Sequence, residues 1–539
     1  MLEKILVFLL LAFLVIPAIQ KEFSIFPEWK PDGDFISAEK PEFNWSSWKT
    51  GDFQSNYNQY LNDHAGFHGV LIRIYNQLDY SLFRIPHAEG VVIGKNNQFF
   101  EYDYIRAYTG HDFVGEENID KYIRMFKYLQ VYLKQKSNID LVLVFEPGKT
   151  SFYPENIPNH YLNKQSKNSN YECYHKKAEA YQINFLDLNE YFKQLKGTKP
   201  YPLYPEHGIH WSAYGMTFAV DTLIKYMESA RQIDLPEVVV DTLLVHRLPQ
   251  WPDYDVEKAM NLLWRYRESR LLAYPQFKFI DGPGKVRPMV AVIGDSYYWS
   301  IYNAHIPQNL FKNEAFWYFF SQAYPESFSA PKSVNEMNLR EEIEKQDVIL
   351  VMVTERFLYK FGWSFVEKAY RTYAPSSEYN QIFNYKSEIW NYDPWFSSII
   401  DKAKNRRISV KEMLDLEAKY VFEQREPEKY FIQYGLDHYI DQIRKVPEWW
   451  ELVKSKSEKE GIDLDAMILR EADYAFKTYQ PDAYKIYSLI KKNKNSIRND
   501  SILSLETQTM ADQYFMTYEE MLQIEAEKMI KEQQGKLLQ

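Results

Sequence analysis

The sequence predicts an α/β domain with a mostly parallel, helix-covered sheet, followed by an all-α helical repeat domain. Between about residues 115 and 375, short apolar runs alternate with amphipathic segments, as strands and helices do in a parallel sheet. After about residue 376 the strand-like runs stop. The rest of the chain repeats a set of residues every 54 positions, which is typical of stacked helical units.

Length and composition limit the classes of protein to consider. A chain of 539 residues is too long for one ordinary core, so two or more domains are expected. The net charge of −10, without a basic stripe, argues against nucleic acid as the main partner. Aromatic residues make up 17% of the chain, which either large aromatic cores or a sugar-stacking surface would explain. The single cysteine, Cys173, excludes an intramolecular disulfide.

The N-terminal segment, residues 1–20, has the pattern of a targeting sequence. Lys4 precedes an apolar run over residues 5–19, and polar sequence follows. Such a run is typical of a secretory signal and is shorter than the ~20 residues that span a bilayer. No clean cleavage site follows, so a signal peptide and an uncleaved membrane anchor both stay open.

Residues 21–110 are predicted to be a lead-in made of a helix and a hairpin. The stretch to about residue 55 is rich in Pro, Trp and Asp and predicts irregular structure. Residues 57–83 have helical spacing, with one apolar face formed by Leu71, Ile74, Tyr75, Leu78 and Leu82. A hairpin is predicted around residues 95–97.

Residues 111–375 are predicted to form the α/β domain. Helices are expected over residues 119–133 and 175–181 and from a Ser212 cap to Met227. Buried strands are expected over residues 139–145, 183–188, 289–293 and 347–353. Glu146, Ser296 and Glu355 each follow a strand end. Because ligands bind beyond the carboxyl ends of parallel strands, these side chains are expected to converge on one rim.

Residues 376–539 are predicted to be a helical domain with three repeats of 54 residues. Ser409, Asp463 and Thr517 occupy equivalent positions, and all three residue types favour helix N-caps. Each is followed by a Glu-Ala pair whose Glu is interpreted as structural. Each unit is predicted to contain two helices that bury a shared core with their neighbours.

Ser296 is the candidate nucleophile. The run 289–293 and Gly294-Asp295-Ser296 predict a buried strand that delivers a serine to a sharp turn. A helix is expected directly afterwards, so backbone N–H groups near Ser296 would be placed to stabilise an oxyanion. The alternative interpretation is that Ser296 is only a helix cap.

His210 is the candidate base. It lies in the segment Gly208-Ile209-His210-Trp211-Ser212, at a predicted junction between loop and helix. A serine hydroxyl becomes a good nucleophile when a neighbouring base takes its proton, and a neutral imidazole does this near pH 7. The two segments together predict acyl-transfer chemistry, with a structural histidine as the alternative.

These segments resemble a known family. Gly294-Asp295-Ser296 with His210-Trp211 resembles the SGNH hydrolase superfamily, and more closely its branch of periplasmic alginate O-acetyltransferases and DHHW proteins. Further matching segments follow in the same order, at residues 60–64, 71–73, 92–95, 147–149, 153–154 and 355–358. The resemblance covers about residues 55–375 and implies an SGNH-like three-layer α/β/α sandwich.

One position departs from the pattern of that family. The family's acid lies two residues before the histidine, where this chain has Gly208. Positions i and i+2 share a face in extended chain, so an Asp there orients the ring, which Gly cannot do. Glu206 and His207 are the nearby candidates for the orienting role, although neither has that spacing. Glu146, Asp187 or Glu355 from other strands, a Ser–His dyad and an inactive domain all stay open.

Five further residues are expected to contribute to the oxyanion hole or to substrate binding: Gly294, Asp295, Glu355, Arg356 and Lys149. For Asp295 the alternative is a role in fixing the turn. For Glu355 and Arg356 the alternative is a salt bridge at the rim of the sheet. His64 and His68 have a spacing that would chelate a metal on a helix, but no further ligand is evident. No metal or cofactor is predicted.

The predicted function is an extracytoplasmic O-acetyltransferase that acts on hydroxyls of a cell-envelope or exported polysaccharide through an acyl-serine. The resemblance implies a periplasmic location, soluble or anchored to the inner membrane, and a membrane-bound acyltransferase partner of the MBOAT type. A carbohydrate acetylesterase that uses the same two residues is one alternative. A catalytically inactive glycan-binding or scaffold protein is the other.

Overall fold

The computed structural model describes residues 2–33, 36–163 and 168–537 of the chain. Within this part of the chain, no helix is both long and apolar enough to cross a membrane. The first helix covers the predicted signal or anchor, but Met1 and many of that segment's side chains lie outside the described residues. The N-terminal elements are α1 (Leu2–Phe23), α2 (Trp45–Thr50), α3 (Asp52–Asp63), α4 (His68–Phe83), β1 (Val91–Ile93) and β2 (Phe99–Glu101).

The lead-in helix differs from its prediction in two ways. It is divided into α3 and α4, and Gly66 between them passes so close to α1 that a Cβ there would lie 2.2 Å from the Pro17 carbonyl oxygen. The predicted apolar face of α4 is largely exposed, as at Leu78. The polar face is buried instead, because Arg73 pairs with Asp32 at 2.8 Å and Asn76 donates to the Met260 carbonyl at 2.9 Å.

The α/β part alternates helices and strands as predicted. Its helices are α5 (Tyr102–Tyr108), α6 (Glu116–Ser137), α7 (Lys149–Phe152), α8 (Asn159–Leu162), α9 (Asn170–Ala180), α10 (Leu188–Leu195), α11 (Ala213–Arg231), α12 (Asp255–Ala259), α13 (Tyr298–Asn303), α14 (Ile306–Leu310), α15 (Leu339–Glu344) and α16 (Phe365–Tyr373). Its strands are β3 (Asp140–Glu146), β4 (Phe185–Asp187), β5 (Glu237–His246), β6 (Leu272–Ile280), β7 (Val290–Gly294), β8 (Ala315–Tyr318), β9 (Gln322–Tyr324) and β10 (Val348–Thr354).

Six of these strands form the central sheet, in the order β4-β3-β10-β7-β8-β9. All neighbouring pairs are parallel except β8 and β9. Alternate residues of a strand point to opposite faces. Accordingly, Leu141 and Leu143 of β3 pack in one hydrophobic cluster with α6, whereas Val142 and Val144 pack in a second cluster with α11. The sheet therefore has a packed layer on each face, which confirms the predicted mostly parallel α/β fold.

A second β-structure stands apart from the central sheet. Strands β5 and β6 pair only with each other, as an antiparallel ribbon. Residues 247–271 connect them and include the short helix α12. The sequence analysis did not predict this ribbon, although it provides part of the candidate site.

The C-terminal region is helical. Its helices are α17 (Ile382–Asn391), α18 (Asp393–Arg406), α19 (Val410–Arg425), α20 (Pro427–Lys445), α21 (Pro447–Glu460), α22 (Leu464–Tyr479), α23 (Pro481–Asn499), α24 (Ser501–Gln513) and α25 (Tyr518–Leu537). The first two repeats each contain three helices, α18–α20 and α21–α23, so the prediction of two was wrong for them, whereas the described part of the third contains two, α24 and α25. Single residues such as Glu426 and Val446 separate consecutive helices and leave no turn signal. Pro at the first helical positions, as at Pro427, is the signal that marks these starts.

Candidate active site

The turn that carries Ser296 is fixed by the side chain of Asp295. Ser296 follows β7 by two residues and is half-buried. The fully buried carboxylate of Asp295 accepts hydrogen bonds from the Tyr297 backbone at 3.0 Å and from the Thr354 hydroxyl at 2.8 Å. This carboxylate therefore ties the serine turn to the end of the neighbouring strand, β10. Its role is to hold the turn, as the alternative interpretation of Asp295 supposed.

The segment that carries His210 is held by its neighbours on both sides. Ser212 caps α11 by accepting from the Gly215 backbone at 2.9 Å. The Trp211 indole N–H donates to the Ser300 hydroxyl at 2.7 Å, and the Tyr297 hydroxyl donates to the Ile209 carbonyl at 2.9 Å. The backbone on each side of His210 is thus attached to the serine turn or to the helix that follows it.

Ser296, His210 and Asp255 form one hydrogen-bonded chain. The Nε2 atom of His210 lies 2.7 Å from the Ser296 hydroxyl oxygen. The Nδ1 atom of the same ring bonds to the Asp255 carboxylate. The second oxygen of Asp255 accepts from the Ile209 backbone at 2.9 Å, so the acid is itself oriented. This is the geometry of a nucleophile, a base and an acid that orients the base.

Asp255 shifts the protonation of the imidazole. Burial of the ring favours the neutral form and by itself lowers the pKa of His210. The charge of Asp255 and its hydrogen bond outweigh this effect, and the charges of Glu101 and Asp295 add to it. The pKa of His210 is therefore raised above its ordinary value. The ring can take up a proton from a serine hydroxyl and hold it as an imidazolium.

Asp255 occupies the space that a side chain at position 208 would need. A Cβ placed on Gly208 would lie 3.0 Å from an Asp255 carboxylate oxygen and 2.8 Å from the Asp253 carbonyl oxygen. Asp255 therefore approaches His210 through the space that the side chain of an aspartate at position 208 would occupy. Asp255 belongs to the connection between β5 and β6, 45 residues after His210. No local pattern marks it, and Gly208 was the one sign that the acid comes from elsewhere.

Neither Glu206 nor His207 orients the His210 ring, so both candidates are corrected. The carboxylate of Glu206 bonds to Ser269. The His207 imidazole is buried between the carboxylates of Glu257 and Glu268, at 3.2 and 3.3 Å. The contacts of the His207 ring are therefore with these carboxylates and with the Phe99 ring, whose centroid lies 5.0 Å away.

Lys149 supports the His210 segment from behind. Its buried ammonium donates to the carbonyl oxygens of Glu206 at 2.9 Å and Gly208 at 2.7 Å. Burial lowers the pKa of Lys149 to about 7, although the charges of Glu268 and Asp255 oppose the shift. Lys149 therefore holds the backbone that presents the histidine. It is not placed to contact a substrate.

The carboxylates that follow other strands are occupied elsewhere. Glu355 is buried and accepts from Ser151 at 2.6 Å and Asn189 at 2.7 Å. Asp187 caps α10 by accepting from the Glu190 backbone at 2.8 Å. Burial and the charge of the neighbouring Asp295 raise the pKa of Glu146 well above its usual range. None of the three takes the place of Asp255 at the ring.

Arg356 and Gly294 complete the predicted set. Arg356 pairs with Glu101 and, at 3.4 Å, with Asp103, which agrees with the rim-pair interpretation except that its partner is not Glu355. Gly294 ends β7, and a Cβ there would meet Met352 at an ordinary 3.5 Å, so the tight turn does not require glycine.

A groove of about 710 Å³ opens beside Ser296 and His210. One wall comes from the serine turn and α13, with Trp299, Ser300 and Asn303. The opposite wall comes from the β5–β6 ribbon and its connection, with Trp251, Asp255 and Phe277. Both ends of the Ser–His–Asp chain therefore face one groove, and that groove is large enough for a sugar residue and more.

The fold and this arrangement define a class of protein. A three-layer α/β sandwich with a Ser–His–Asp chain beyond the carboxyl ends of its strands is the architecture of SGNH hydrolase-like acyltransferases and esterases. Residues 91–247 match the family model described as the SGNH hydrolase-like domain of acetyltransferase AlgX. This match agrees with the resemblance to SGNH hydrolase-like acetyltransferases that the sequence motifs indicated, and it extends over residues 91–247. The matched segment includes His210, whereas Asp255 and Ser296 lie beyond it.

Solved structures of three acetyltransferases are similar to this chain. The O-acetyltransferase domain of Pseudomonas putida AlgJ has 16% identity, covers 52% of this chain and 99% of its own, and gives a TM-score of 0.34. Pseudomonas aeruginosa AlgX has 14% identity. The match covers 51% of this chain and 67% of AlgX, with a TM-score of 0.33. Bacillus cereus PatB1, solved with a sulfonyl adduct, has 12% identity. The match covers 45% of this chain and 89% of PatB1, with a TM-score of 0.31. No curated protein matches the chain.

Proposed function

We propose that the chain is an O-acetyltransferase that moves an acetyl group onto a hydroxyl of a polysaccharide through an acyl-serine. The observation that carries the proposal is the chain from Asp255 through His210 to Ser296 at the wall of an open groove. The match to an acetyltransferase family model over residues 91–247 supports the choice of acyl group.

In the first half-reaction, Ser296 attacks the carbonyl carbon of an acetyl donor. The Nε2 atom of His210 takes the hydroxyl proton as the Oγ–C bond forms, and Asp255 stabilises the resulting imidazolium through Nδ1–H. The tetrahedral oxyanion is stabilised by the Ser296 backbone N–H. As the intermediate collapses, the donor's leaving group departs with the proton from His210. The acetyl group is then an ester on Ser296.

In the second half-reaction, a sugar hydroxyl in the groove replaces the leaving group. His210 takes the proton of that hydroxyl while the hydroxyl oxygen attacks the acetyl carbon. The bond to Ser296 breaks, and the serine oxygen recovers the proton from His210. If water attacks instead, the same steps give an acetylesterase. Aromatic walls such as Trp251 and Trp299 favour a sugar acceptor because they provide faces on which sugar rings stack.

The reaction is proposed to take place outside the cytoplasm. The apolar run over residues 5–19 would export the chain or hold it at the membrane. An acetyl donor at that location would come from a membrane-bound acyltransferase, as the family resemblance implies.

The test uses the purified chain with a chromogenic acetyl ester, with and without an oligosaccharide acceptor. We expect Ser296-dependent acetyl release, acetylated oligosaccharide detected by mass spectrometry, and an acetyl group trapped on the Ser296 peptide. Ser296→Ala should abolish all three, and Ser229→Ala, at an exposed position on α11, should change none of them. Acetyl release without transfer would indicate the esterase. Release equal in wild type and Ser296→Ala would overturn the enzyme and favour a binding protein.

A further inference from the structure

The lining of the groove carries information about the acceptor. The residues that line it are His210, Trp211, Ala213, Met216, Gln250, Trp251, Pro252, Asp255, Tyr274, Pro275, Gln276, Phe277, Phe279, Ser296, Trp299, Ser300, Asn303, Ala304 and His305. Among these described residues there is no lysine and no arginine. The one carboxylate, Asp255, is bonded to His210. Apart from the Ser–His–Asp chain, the groove therefore offers aromatic faces and uncharged polar groups, with His305 at its rim.

The charges around the groove disfavour an anionic chain. Asp295 and Glu101 lie close enough to His210 for their charges to raise its pKa. Arg356 is paired with Glu101 and Asp103. The whole chain carries a net charge of −10. A polymer with a carboxylate on every sugar would enter without compensating cations, and an unpaired charge in a partly desolvated site is costly.

Lys258 is a cation beside the groove, and it is already engaged. Its ammonium lies over the Trp251 ring, 4.6 Å from the centroid, and 3.7 Å from an Asp32 carboxylate oxygen. It does not belong to the lining. One lysine outside the lining would not match the regular charge of a uronate polymer.

Aromatic and amide side chains suit an uncharged sugar chain. Trp251 is 59% exposed, and half-buried Trp299 of α13 lines the same groove. The C–H faces of sugar rings pack on such aromatic surfaces. Gln250, Gln276 and Asn303 are exposed along the lining and can donate to and accept from sugar hydroxyls.

We propose that the acceptor is an uncharged polysaccharide, whose sugar rings stack on Trp251 and Trp299 in the groove. This inference rests on the proposed function and names its substrate class. Trp251 sets the position of the acceptor sugar and takes no part in proton transfer. A uronate polymer is the alternative that the test has to exclude.

The test compares matched acceptors with the full chain. Oligomers of β-1,4-linked mannose and of β-1,4-linked mannuronate, of equal length, differ only at the sixth carbon. Oligomers of β-1,4-linked glucose and N-acetylglucosamine extend the neutral set. We expect the best neutral acceptor to exceed the mannuronate in transfer by at least about tenfold at low salt. Added salt should leave neutral transfer unchanged, because no charge on the acceptor is screened.

Variants locate the acceptor in the groove. Trp251→Ala should lower transfer to the neutral oligomer about tenfold more than it lowers chromogenic ester release, and Trp251→Phe should retain most of the transfer. Trp264→Ala is the matched control, because Trp264 is a similarly exposed tryptophan of the same connection that lies outside the groove lining. It should change neither activity.

The outcomes separate the two proposals. Ester release that does not need Ser296 overturns the proposed function itself. Ser296-dependent release with mannuronate as the best acceptor overturns only the inference. The inference is also overturned if no neutral oligomer accepts acetyl groups and none inhibits ester release competitively.

Discussion

At the scale of single residues, His210 takes its partners from two distant parts of the chain. Ser296 is 86 residues away and Asp255 is 45 residues away. The Tyr297 ring packs against the imidazole with centroids 4.7 Å apart. Gly208 leaves room for the Asp255 carboxylate, so the acid reaches the ring from the ribbon connection instead of the histidine's own segment.

The charge of Asp255 gives a prediction about pH. The neutral form of His210 is the active base, and its raised pKa means that activity falls as the pH drops through a value above the ordinary ~6.5. Asp255→Asn keeps the shape but removes the charge, so the acidic limb of the kcat/KM profile should move to lower pH. The rate at its maximum should also fall, by up to ~10⁴-fold, because the amide no longer holds the correct tautomer.

The matched control for that experiment is Asp221→Asn. Asp221 lies on the exposed side of α11 and pairs with Lys225 at 2.7 Å. Its profile should coincide with that of the wild type. An Asp255→Asn profile that also coincides with the wild type would contradict a role for Asp255 in orienting His210.

Lys149 gives a second prediction at this scale. Lys149→Met should leave the carbonyls of Glu206 and Gly208 without their buried donor, at a cost of about 1–3 kcal/mol in stability. Because these carbonyls belong to the segment that presents His210, kcat should fall by ~10²-fold while KM for a small ester changes little. Lys225→Met, at an exposed position, should alter stability by less than ~0.5 kcal/mol. Equal kcat values for both variants would refute the positioning role.

At the scale of elements, one helix in each repeat begins after the N-cap residue that the sequence indicated. Ser409 accepts from the Glu412 backbone at 3.1 Å and Glu412 accepts from the Ser409 backbone, which is a complete capping box. Thr517 and Glu520 make the same reciprocal pair in the third repeat. In the second repeat, Asp463 caps α22 alone, because Ala466 follows where the other repeats have Glu.

These caps predict a graded effect on stability. Ser409→Ala and Asp463→Ala should each lower the free energy of unfolding of the helical region by about 1 kcal/mol, because helix N–H groups lose their acceptor. Ser409→Asn should retain most of the stability, because asparagine also caps well. Chemical unfolding followed by far-UV circular dichroism provides the measurement. No loss in either alanine variant would show that packing, and not capping, fixes these helix starts.

At the scale of the whole molecule, the last repeat returns to the α/β domain. Glu520 at the start of α25 bonds to Arg124 of α6 at 2.7 Å and pairs with Lys121 at 3.2 Å. Glu527, later in α25, accepts from Ser377 at 2.6 Å. The last helix therefore contacts the α/β domain through Glu520 and the first residues of the helical region through Glu527.

The Glu520 contact predicts a dependence of stability on pH. Burial opposes ionisation, but Lys121 and Arg124 outweigh it and lower the pKa of Glu520 from its ordinary value of 4.5 to about 2. Because the folded pKa is the lower one, this stabilisation is complete above pH ~4.5 and is lost as the pH falls towards 2. Glu520→Gln should lack this contribution and be less stable at neutral pH. Its loss of stability on acidification, measured by thermal unfolding, should be smaller than that of the wild type.

Glu519→Gln provides the comparison for Glu520. Glu519 precedes Glu520 and pairs with Arg498 at the exposed surface, so its removal should cost less than ~1 kcal/mol. Equal effects of the two substitutions would mean that the contact with α6 does not stabilise the molecule.

Much of this molecule followed from the sequence alone. Four strands of the six-stranded central sheet, the caps of α11, α19 and α22, and the pairing of Ser296 with His210 all came from patterns within short segments. Apolar periodicity and capping act between residues a few positions apart, so the sequence displays them directly.

Only the tertiary structure decided which acid meets His210, which face of α4 is buried and where the last repeat attaches. Asp255, Arg73 and Glu520 each act across a large separation in sequence, and their roles depend on the partner that the fold brings to them. A carboxylate in a connection between strands has no periodic signal. Its chemistry is set by the few ångströms that separate it from a ring elsewhere in the chain.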